Sequence, residues 1–165
     1  MILKNLNKNF FINFLIVLSI FIFDRFSKIY VIYLDRKFLG SEVFSSKFLN
    51  IILVWNEGIA FGLLNFEKNN LYNLLTFLIL IIIIVIAFMI IKTEGLKKYA
   101  LIMILGGAIG NVFDRIFYKA VPDFIDFHIQ DFHWFIFNVA DIFITFGVIF
   151  MIIMEFVYSS NNKKI

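Results

Sequence analysis

Four long apolar segments alternate with more polar stretches along this chain. The most continuous of them, LLTFLILIIIIVIAFMII at residues 74–91, is long enough as a helix to cross a hydrocarbon core of roughly 30 Å. The complete pattern predicts membrane spans at residues 10–34, 71–91, 99–118 and 134–157. An even number of spans places both termini on the same side of the membrane.

The stretch at residues 35–70 is too polar to span, but its KFLNIILVWN segment contains β-forming residues that favour short strands. We therefore predict an all-α membrane protein with four transmembrane helices and a small extracytoplasmic β-like cap. No internal repeat or linker divides the chain. Residues 1–165 are expected to form a single integral membrane domain.

Composition supports a membrane protein and narrows its chemistry. Hydrophobic residues make up 62% of the chain and charged residues 16%, far from the balance of a soluble domain. The net charge is only +3 and the basic residues are dispersed, so nucleic acid is not an expected partner. The absence of cysteine excludes disulfides, a thiolate nucleophile and cysteine-based metal sites.

Lysine and arginine in the flanks of the spans indicate the orientation. Positive charge favours the cytoplasmic side, although long segments such as residues 35–70, which also carry basic residues, follow this rule less strictly. The rule predicts cytoplasmic termini and a cytoplasmic loop between spans 2 and 3. The basic residues that indicate this are Lys4, Lys8, Lys92, Lys97, Lys98, Lys163 and Lys164.

Polar side chains occur inside three predicted spans, where one charge costs roughly 2.5–3.5 kcal/mol. In span 1, Asp24 and Lys28 are four residues apart and can form a structural ion pair on one helical face. In span 3, GGAIGNVFDR contains glycines that permit close packing, followed by Asn111, Asp114 and Arg115 on neighbouring faces.

Four aspartates lie around the start of span 4. Asp141 follows Asn138 by three residues, and no basic residue follows it in its own helix, so a functional role is favoured. Asp123 follows a proline, and a positioned carboxylate is plausible there. In DFHIQD, apolar and polar residues alternate, which predicts a half-exposed strand with Asp126 and Asp131 facing water.

Elimination leaves carboxylate chemistry. There is no G-x-S-x-G motif, and His128 and His133 are not in H-E-x-x-H, so no metal site is expected. Two carboxylates held close together share one proton, as in aspartic proteases. A proton- or ion-translocating protein also uses intramembrane carboxylates, and a structural membrane protein uses polar groups for packing alone. These residues do not separate the alternatives by themselves.

Five motifs taken together resemble the bacterial lipoprotein signal peptidases, or signal peptidase II. They are DRFSK from Asp24, NEGIAFG from Asn56, GGAIGNVFDR from Gly106, VPDFID from Val121 and FNVAD from Phe137. Each motif is weak alone, but the five occur in the order found in the family and extend over nearly the whole chain.

The resemblance implies roles for individual residues. It assigns catalysis to Asp123 and Asp141, in the VPDFID and FNVAD blocks, and a structural role to Asp24 and Lys28. It implies no metal and no cofactor. The residues that match substrate-binding positions are Asn56, Asn111, Asp114, Arg115 and Asn138.

The resemblance also implies an activity and a location. Such an enzyme is an aspartic endopeptidase that removes signal peptides from diacylglyceryl-modified prolipoproteins by cleaving before the lipidated cysteine. The expected location is the bacterial cytoplasmic (inner) membrane, with the active site near the extracytoplasmic face and the cap over it. Prolipoprotein substrates and membrane lipid are the expected partners, and a monomer is the expected state.

Overall fold

Helices occupy the four apolar segments, and strands occupy the polar stretches on one side of them. The computed structural model describes residues 2–58 and 69–162, with side chains described for residues 10–58 and 72–157. The helices are α1 Ile2–Lys37, α2 Asn69–Lys92, α3 Leu96–Tyr118 and α4 Val139–Asn162. The strands are β1 Phe44–Ser45, β2 Leu49–Asn56, β3 Val121–Ile129 and β4 Phe132–Phe137.

Each helix contains a segment that is long and apolar enough to cross a membrane, so the chain is a multi-pass membrane protein. The third helix is the centre of the bundle, because α1, α2 and α4 all pack against it. In α3, 61% of the membrane-crossing window is buried, against 11% in α2 and 22% in α4. The outer helices therefore present most of their apolar surface to lipid.

Two glycines of α3 allow its close contact with α4 and α1. A Cβ atom on Gly107 would collide with the Ala140 carbonyl oxygen, and one on Gly110 would lie 2.6 Å from Asp24 Oδ2. Small residues let helices approach closely where lipid provides no hydrophobic drive for association. The glycines thus bring the polar groups of three helices together.

The four strands form one antiparallel sheet in the order β1-β2-β3-β4. Two strands come from the stretch between α1 and α2, and two from the hairpin that joins α3 to α4. Val31 of α1, Phe124 of β3 and Val139 of α4 form a buried apolar cluster that fastens the sheet to the helices. The predicted fold class, four helices with a small β cap, is confirmed.

The predicted span limits need correction, chiefly for span 4. Residues 134–137 of the predicted span 134–157 belong to β4, and the helix begins at Val139. Hydrophobicity alone could not separate this apolar strand from the helix that follows it. The predicted spans 10–34, 71–91 and 99–118 lie within longer helices, and residues 59–68 of the predicted cap 35–70 lie outside the described residues.

The prediction that Asp126 faces water is wrong, although the alternation in DFHIQD is that of a strand. Asp126 is only 3% exposed and His128 is also buried, whereas Phe127 and Ile129 are exposed. The polar set is on the buried face because polar partners on β2 and β4 surround it there. Asp131, in the turn after β3, is exposed as predicted.

Candidate active site

Asp123 lies on β3 with its carboxylate held by two asparagine amides. Asn138 Nδ2 donates to Oδ1 at 2.6 Å, and Asn56 Nδ2 donates to Oδ2 at 2.9 Å. Asn56 is the last residue of β2, which pairs with β3 and so brings the amide to the carboxylate. Asp123 is 2% exposed, so both donors act in a largely dehydrated setting.

Asp141 lies in the first turn of α4, and Asn138 immediately precedes that helix. The Asp141 N–H donates to Asn138 Oδ1 at 3.1 Å, while the Asn138 N–H donates to Asp141 Oδ2 at 3.2 Å. This reciprocal arrangement is a capping box, and a carboxylate is favoured at a helix N-terminus. The start of the helix therefore positions the second carboxylate.

Asn138 connects the two carboxylates. Its side-chain amide donates to Asp123 and its backbone N–H donates to Asp141. Asn111 of α3 completes the setting of Asp141 by donating to Oδ1 at 2.7 Å. The structure thus brings together Asp123 and Asp141, which the sequence resemblance pairs, through three of the matched asparagines.

The setting of Asp123 favours its protonated form. Burial, and after it the nearby charge of Asp141, raise the pKa of the Asp123 carboxyl to about 6. Hydrogen bonds from Asn56 and Asn138 act in the opposite direction by stabilising the carboxylate. Asp123 can therefore hold or release a proton near neutral pH.

Four charged groups form a buried cluster next to this pair. Lys28 Nζ lies 2.9 Å from Asp24 Oδ2 and 2.7 Å from Asp114 Oδ2, and Arg25 lies 2.6 Å from Asp114 Oδ1. The two cations balance the two carboxylates, as buried charges require. Asp24 Oδ1 also accepts a hydrogen bond from the Ala140 N–H at 3.0 Å, which joins the cluster to α4.

Asn111 links this charged cluster to the carboxylate pair. Its Oδ1 accepts a hydrogen bond from Lys28 Nζ at 2.9 Å, while its amide nitrogen donates to Asp141. Lys28 thus fixes the orientation of the asparagine that holds Asp141. Asp114, which matches a substrate-binding position, is placed among Arg25 and Lys28 instead of beside the carboxylate pair.

Arg115 points toward the cap. Its guanidinium donates to the Gly58 carbonyl oxygen and to the Asn111 carbonyl oxygen, each at 3.2 Å. Gly58 follows β2, and its N–H donates to Asn56 Oδ1 at 2.9 Å. Arg115 therefore helps to hold the end of β2, and with it Asn56, near Asp123.

An apolar groove of about 340 Å³ opens beside Asp141. Its lining is aromatic and aliphatic apart from one carboxylate and one hydroxyl. Such a groove can bind an apolar chain beside a polar reacting centre. The lining residues are Phe135, Phe137, Asp141, Ile142, Thr145 and Phe146.

Sequence reasoning missed one feature and discounted another. Arg25 was not singled out, because it lies next to Asp24 and adjacent helical residues do not share a face. The second feature is a group formed by Asp126, His128 and His133, whose ligand atoms all lie within 4.8 Å of one another. The spacing of Asp126 and His128 on one strand face was a signal for it.

Comparison with family models places the chain among known proteins. The model described as "Signal peptidase (SPase) II" matches residues 16–157. The chain is 50% identical over 157 residues to a lipoprotein signal peptidase of Pelagibacter ubique (strain HTCC1062), covering 95% of this chain and 93% of that one. It is 41% identical over 133 residues to a lipoprotein signal peptidase of Anaplasma phagocytophilum (strain HZ), covering 80% and 83%.

Solved structures agree with these relationships. A bacterial membrane enzyme determined by the in meso method at 2.3 Å resolution superposes with a TM-score of 0.70 at 30% identity, covering 90% of both chains. A second, at 1.9 Å resolution, also gives a TM-score of 0.70, at 32% identity, covering 86% of this chain and 90% of the other. The fold is therefore that of known bacterial membrane enzymes.

Proposed function

This chain belongs to the signal peptidase II family, and we propose that it is an aspartic endopeptidase whose catalytic pair is Asp123 and Asp141. Members of this family are proteases, and the chain removes signal peptides from prolipoproteins. The more specific reaction is cleavage before a cysteine that carries diacylglycerol. No metal or cofactor takes part in it.

One observation carries this proposal: a single asparagine, Asn138, donates hydrogen bonds to both carboxylates where β4 meets α4. The two acids come from different elements, and both are at least nine-tenths buried. Close carboxylates in such a setting cannot both ionise easily, so one proton is shared between them. That is the protonation state that an aspartic protease needs.

The reaction follows from this state. The ionised carboxylate takes a proton from water as the water oxygen attacks the scissile carbonyl carbon. The protonated carboxyl donates its proton to the developing oxyanion. The carboxyl that took the proton from water then passes it to the leaving nitrogen as the C–N bond breaks, and the tetrahedral hydroxyl returns its proton to the other carboxylate. The amides of Asn56, Asn111 and Asn138 hold the carboxylates in place throughout.

The apolar groove beside Asp141 supports a lipid-bearing substrate. Its aromatic lining from β4 and the first two turns of α4 leads to the carboxylate, as a site for an acyl chain or an apolar signal segment requires. Phe135 and Phe146 are exposed on the outer surface of the protein. A substrate in the membrane can therefore reach the carboxylate pair laterally.

The orientation belongs to the same proposal. Positive flanks place both termini and the α2–α3 connection in the cytoplasm. The sheet, Asp123 and Asp141 then lie at the extracytoplasmic face of the inner membrane, where water reaches the peptide bond. A monomeric enzyme is part of the same proposal.

The test is cleavage of a diacylglyceryl-modified prolipoprotein by the purified chain in lipid-containing micelles with chelator present. The expected product begins with the lipidated cysteine, as shown by mass spectrometry, and both Asp123→Asn and Asp141→Asn abolish it. Asp131→Asn, at an exposed turn, is the matched control and should cleave normally. Full activity in either catalytic variant would overturn the pair.

The alternative of a proton- or ion-coupled transporter makes a different prediction. Proteoliposomes of such a protein would show charge movement and no cleavage of the prolipoprotein. For an endopeptidase we expect cleavage of the prolipoprotein and no charge movement in the same vesicles.

A further inference from the structure

The hairpin of β3 and β4 gathers the only two histidines of the chain around a buried carboxylate. His133 Nδ1 lies 2.8 and 2.9 Å from the two oxygens of Asp126, and His128 Nδ1 lies 3.9 Å from Asp126 Oδ2. His128 and His133 are cross-strand partners, and their rings stack with centroids 5.0 Å apart. The three groups therefore converge on one small volume.

Two of these groups are buried, and the bonding of each is incomplete in one respect. Asp126 is 3% exposed, and among the described residues no lysine or arginine forms an ion pair with it. His128 is 8% exposed, and within the same part of the chain its Nδ1 atom has no hydrogen-bond partner. Asp126 contacts Asn50 and His133, but no lysine or arginine balances its charge in this part of the chain. A cation between Asp126 and His128 would balance that charge and give the buried Nδ1 atom a partner in its deprotonated form.

Neighbouring strands hold the carboxylate in position. Asn50 of β2, the cross-strand partner of Asp126, donates from Nδ2 to Asp126 Oδ2 at 3.3 Å. Ser45 of β1 in turn donates to Asn50 Oδ1 at 2.9 Å. Hydrogen bonds of this kind orient the ligands of a metal centre from outside its coordination shell. The hydrogen bonds that orient Asp126 therefore extend across β1, β2 and β3.

We propose that Asp126, His128 and His133 form a binding site for a zinc-class divalent cation. Two imidazoles and one carboxylate are the donors that Zn²⁺ accepts, whereas Mg²⁺ and Ca²⁺ prefer oxygen alone. Ligand atoms around tetrahedral zinc are about 3.3 Å apart. The separations of 2.8 and 3.9 Å from Asp126 Oδ2 to the two Nδ1 atoms lie on either side of that value.

The bound cation ties β3 to β4 and leaves a fourth position for water. The side chain of His133 is 53% exposed, which gives the ion a route from solvent. Asp126 is three residues from Asp123 on the same strand, so the cation stiffens the strand that carries a proposed catalytic acid without touching it. Removing the cation is expected to lower stability and to leave the cleavage chemistry in place.

The experiment is a titration of chelator-stripped protein, purified without a polyhistidine tag, with Zn²⁺ by calorimetry and with Co²⁺ by visible absorption. We expect one ion per chain, the intense visible bands of four-coordinate Co²⁺, a higher thermal midpoint with Zn²⁺, and no comparable effect of Mg²⁺. The inactive Asp123→Asn variant should bind the ion normally, so that a failure of the proposed catalysis and a failure of this site are distinguished.

Three variants make the titration decisive. His133→Ala changes a largely exposed side chain, so it should fold and yet bind Zn²⁺ at least ~10-fold more weakly, while Asn50→Ala should weaken binding by about 10–100-fold. Asp131→Asn, on the same hairpin outside the cluster, should match the wild type. No saturable binding, unchanged affinity in His133→Ala, or an equal response to Mg²⁺ would each overturn the site.

Discussion

Asn138 illustrates how much chemistry depends on one residue. It is fully buried, caps α4 with its side-chain oxygen and holds both proposed catalytic carboxylates with its two N–H donors. Its spacing of three residues from Asp141 was noted in the sequence as placing both on one helical face. Its capping role was not predicted, because the predicted span 134–157 placed both residues inside the helix, which begins at Val139. Its bond to Asp123 was not readable, because that bond depends on how the hairpin folds back onto α4.

The raised pKa of Asp123 predicts a pH dependence of stability. Its pKa rises from 3.8 to about 6 in the fold, so the folded chain binds this proton more tightly than the unfolded chain. The stabilisation is complete below pH 3.8 and is lost as the pH rises through about 6. Between these two limits, the contribution of Asp123 to the free energy of unfolding changes by on the order of 3 kcal/mol.

The measurement compares the wild type with Asp123→Asn, which cannot titrate at this position. The free energy of unfolding in micelles should shift in favour of the asparagine variant as the pH increases from 4 toward 7 (approximate limits taken from the two pKa values). Stability curves that stay parallel over this range would show that Asp123 is not held in its protonated form.

Among the elements, α3 is the one on which the site is assembled. It carries the glycines that admit α1 and α4, and it carries Asn111, Asp114 and Arg115 on its buried faces. The sequence predicted this helix and its close packing from the glycine spacing. The sequence could not show that Lys28 donates hydrogen bonds to Asp114 and Asn111 as well as to Asp24. Contacts between two helices produce no periodic pattern in the sequence of either helix.

The cluster between α1 and α3 leads to a prediction for Lys28→Met. The substitution removes a fully buried cation that lies between two fully buried carboxylates, Asp24 and Asp114. The two carboxylates then share one cationic partner among the described residues, Arg25, and this loss of a buried charge partner should lower the free energy of unfolding by about 3–5 kcal/mol. Chemical denaturation in micelles is the measurement.

A matched control comes from a pair at the other end of α3. Lys97 lies 2.7 Å from Glu155, but the Glu155 side chain is 71% exposed. Lys97→Met should therefore change stability by less than about 1 kcal/mol. Equal losses in the two lysine variants would mean that the buried cluster is not what holds α1 against α3.

The sheet shows where element prediction from sequence succeeded and failed. The β-forming residues before Asn56 correctly predicted β2, but β4 was included in a helix because its apolar residues run directly into α4. The buried face of β3 was assigned incorrectly for a related reason. Alternation defines two faces of a strand, and only the neighbouring strands decide which face is buried.

For the whole molecule, the orientation in the membrane can be tested with single cysteines, since the chain has none of its own. Asp131→Cys lies on the exposed hairpin turn, and Glu94→Cys lies on the exposed α2–α3 connection. A membrane-impermeant maleimide should label the first in cells whose outer membrane alone is opened, and the second only after the inner membrane is permeabilised. The opposite pattern would invert the proposed topology.

The most direct measurement is the turnover number of Asp123→Asn, Asp141→Asn and the double variant on a diacylglyceryl-modified prolipoprotein. If the carboxylates act as one unit sharing a proton, each single variant loses roughly 10²–10⁴-fold, and the double variant loses little more than either one. Losses that add in the double variant, or a single variant that keeps wild-type turnover, would contradict a shared-proton pair.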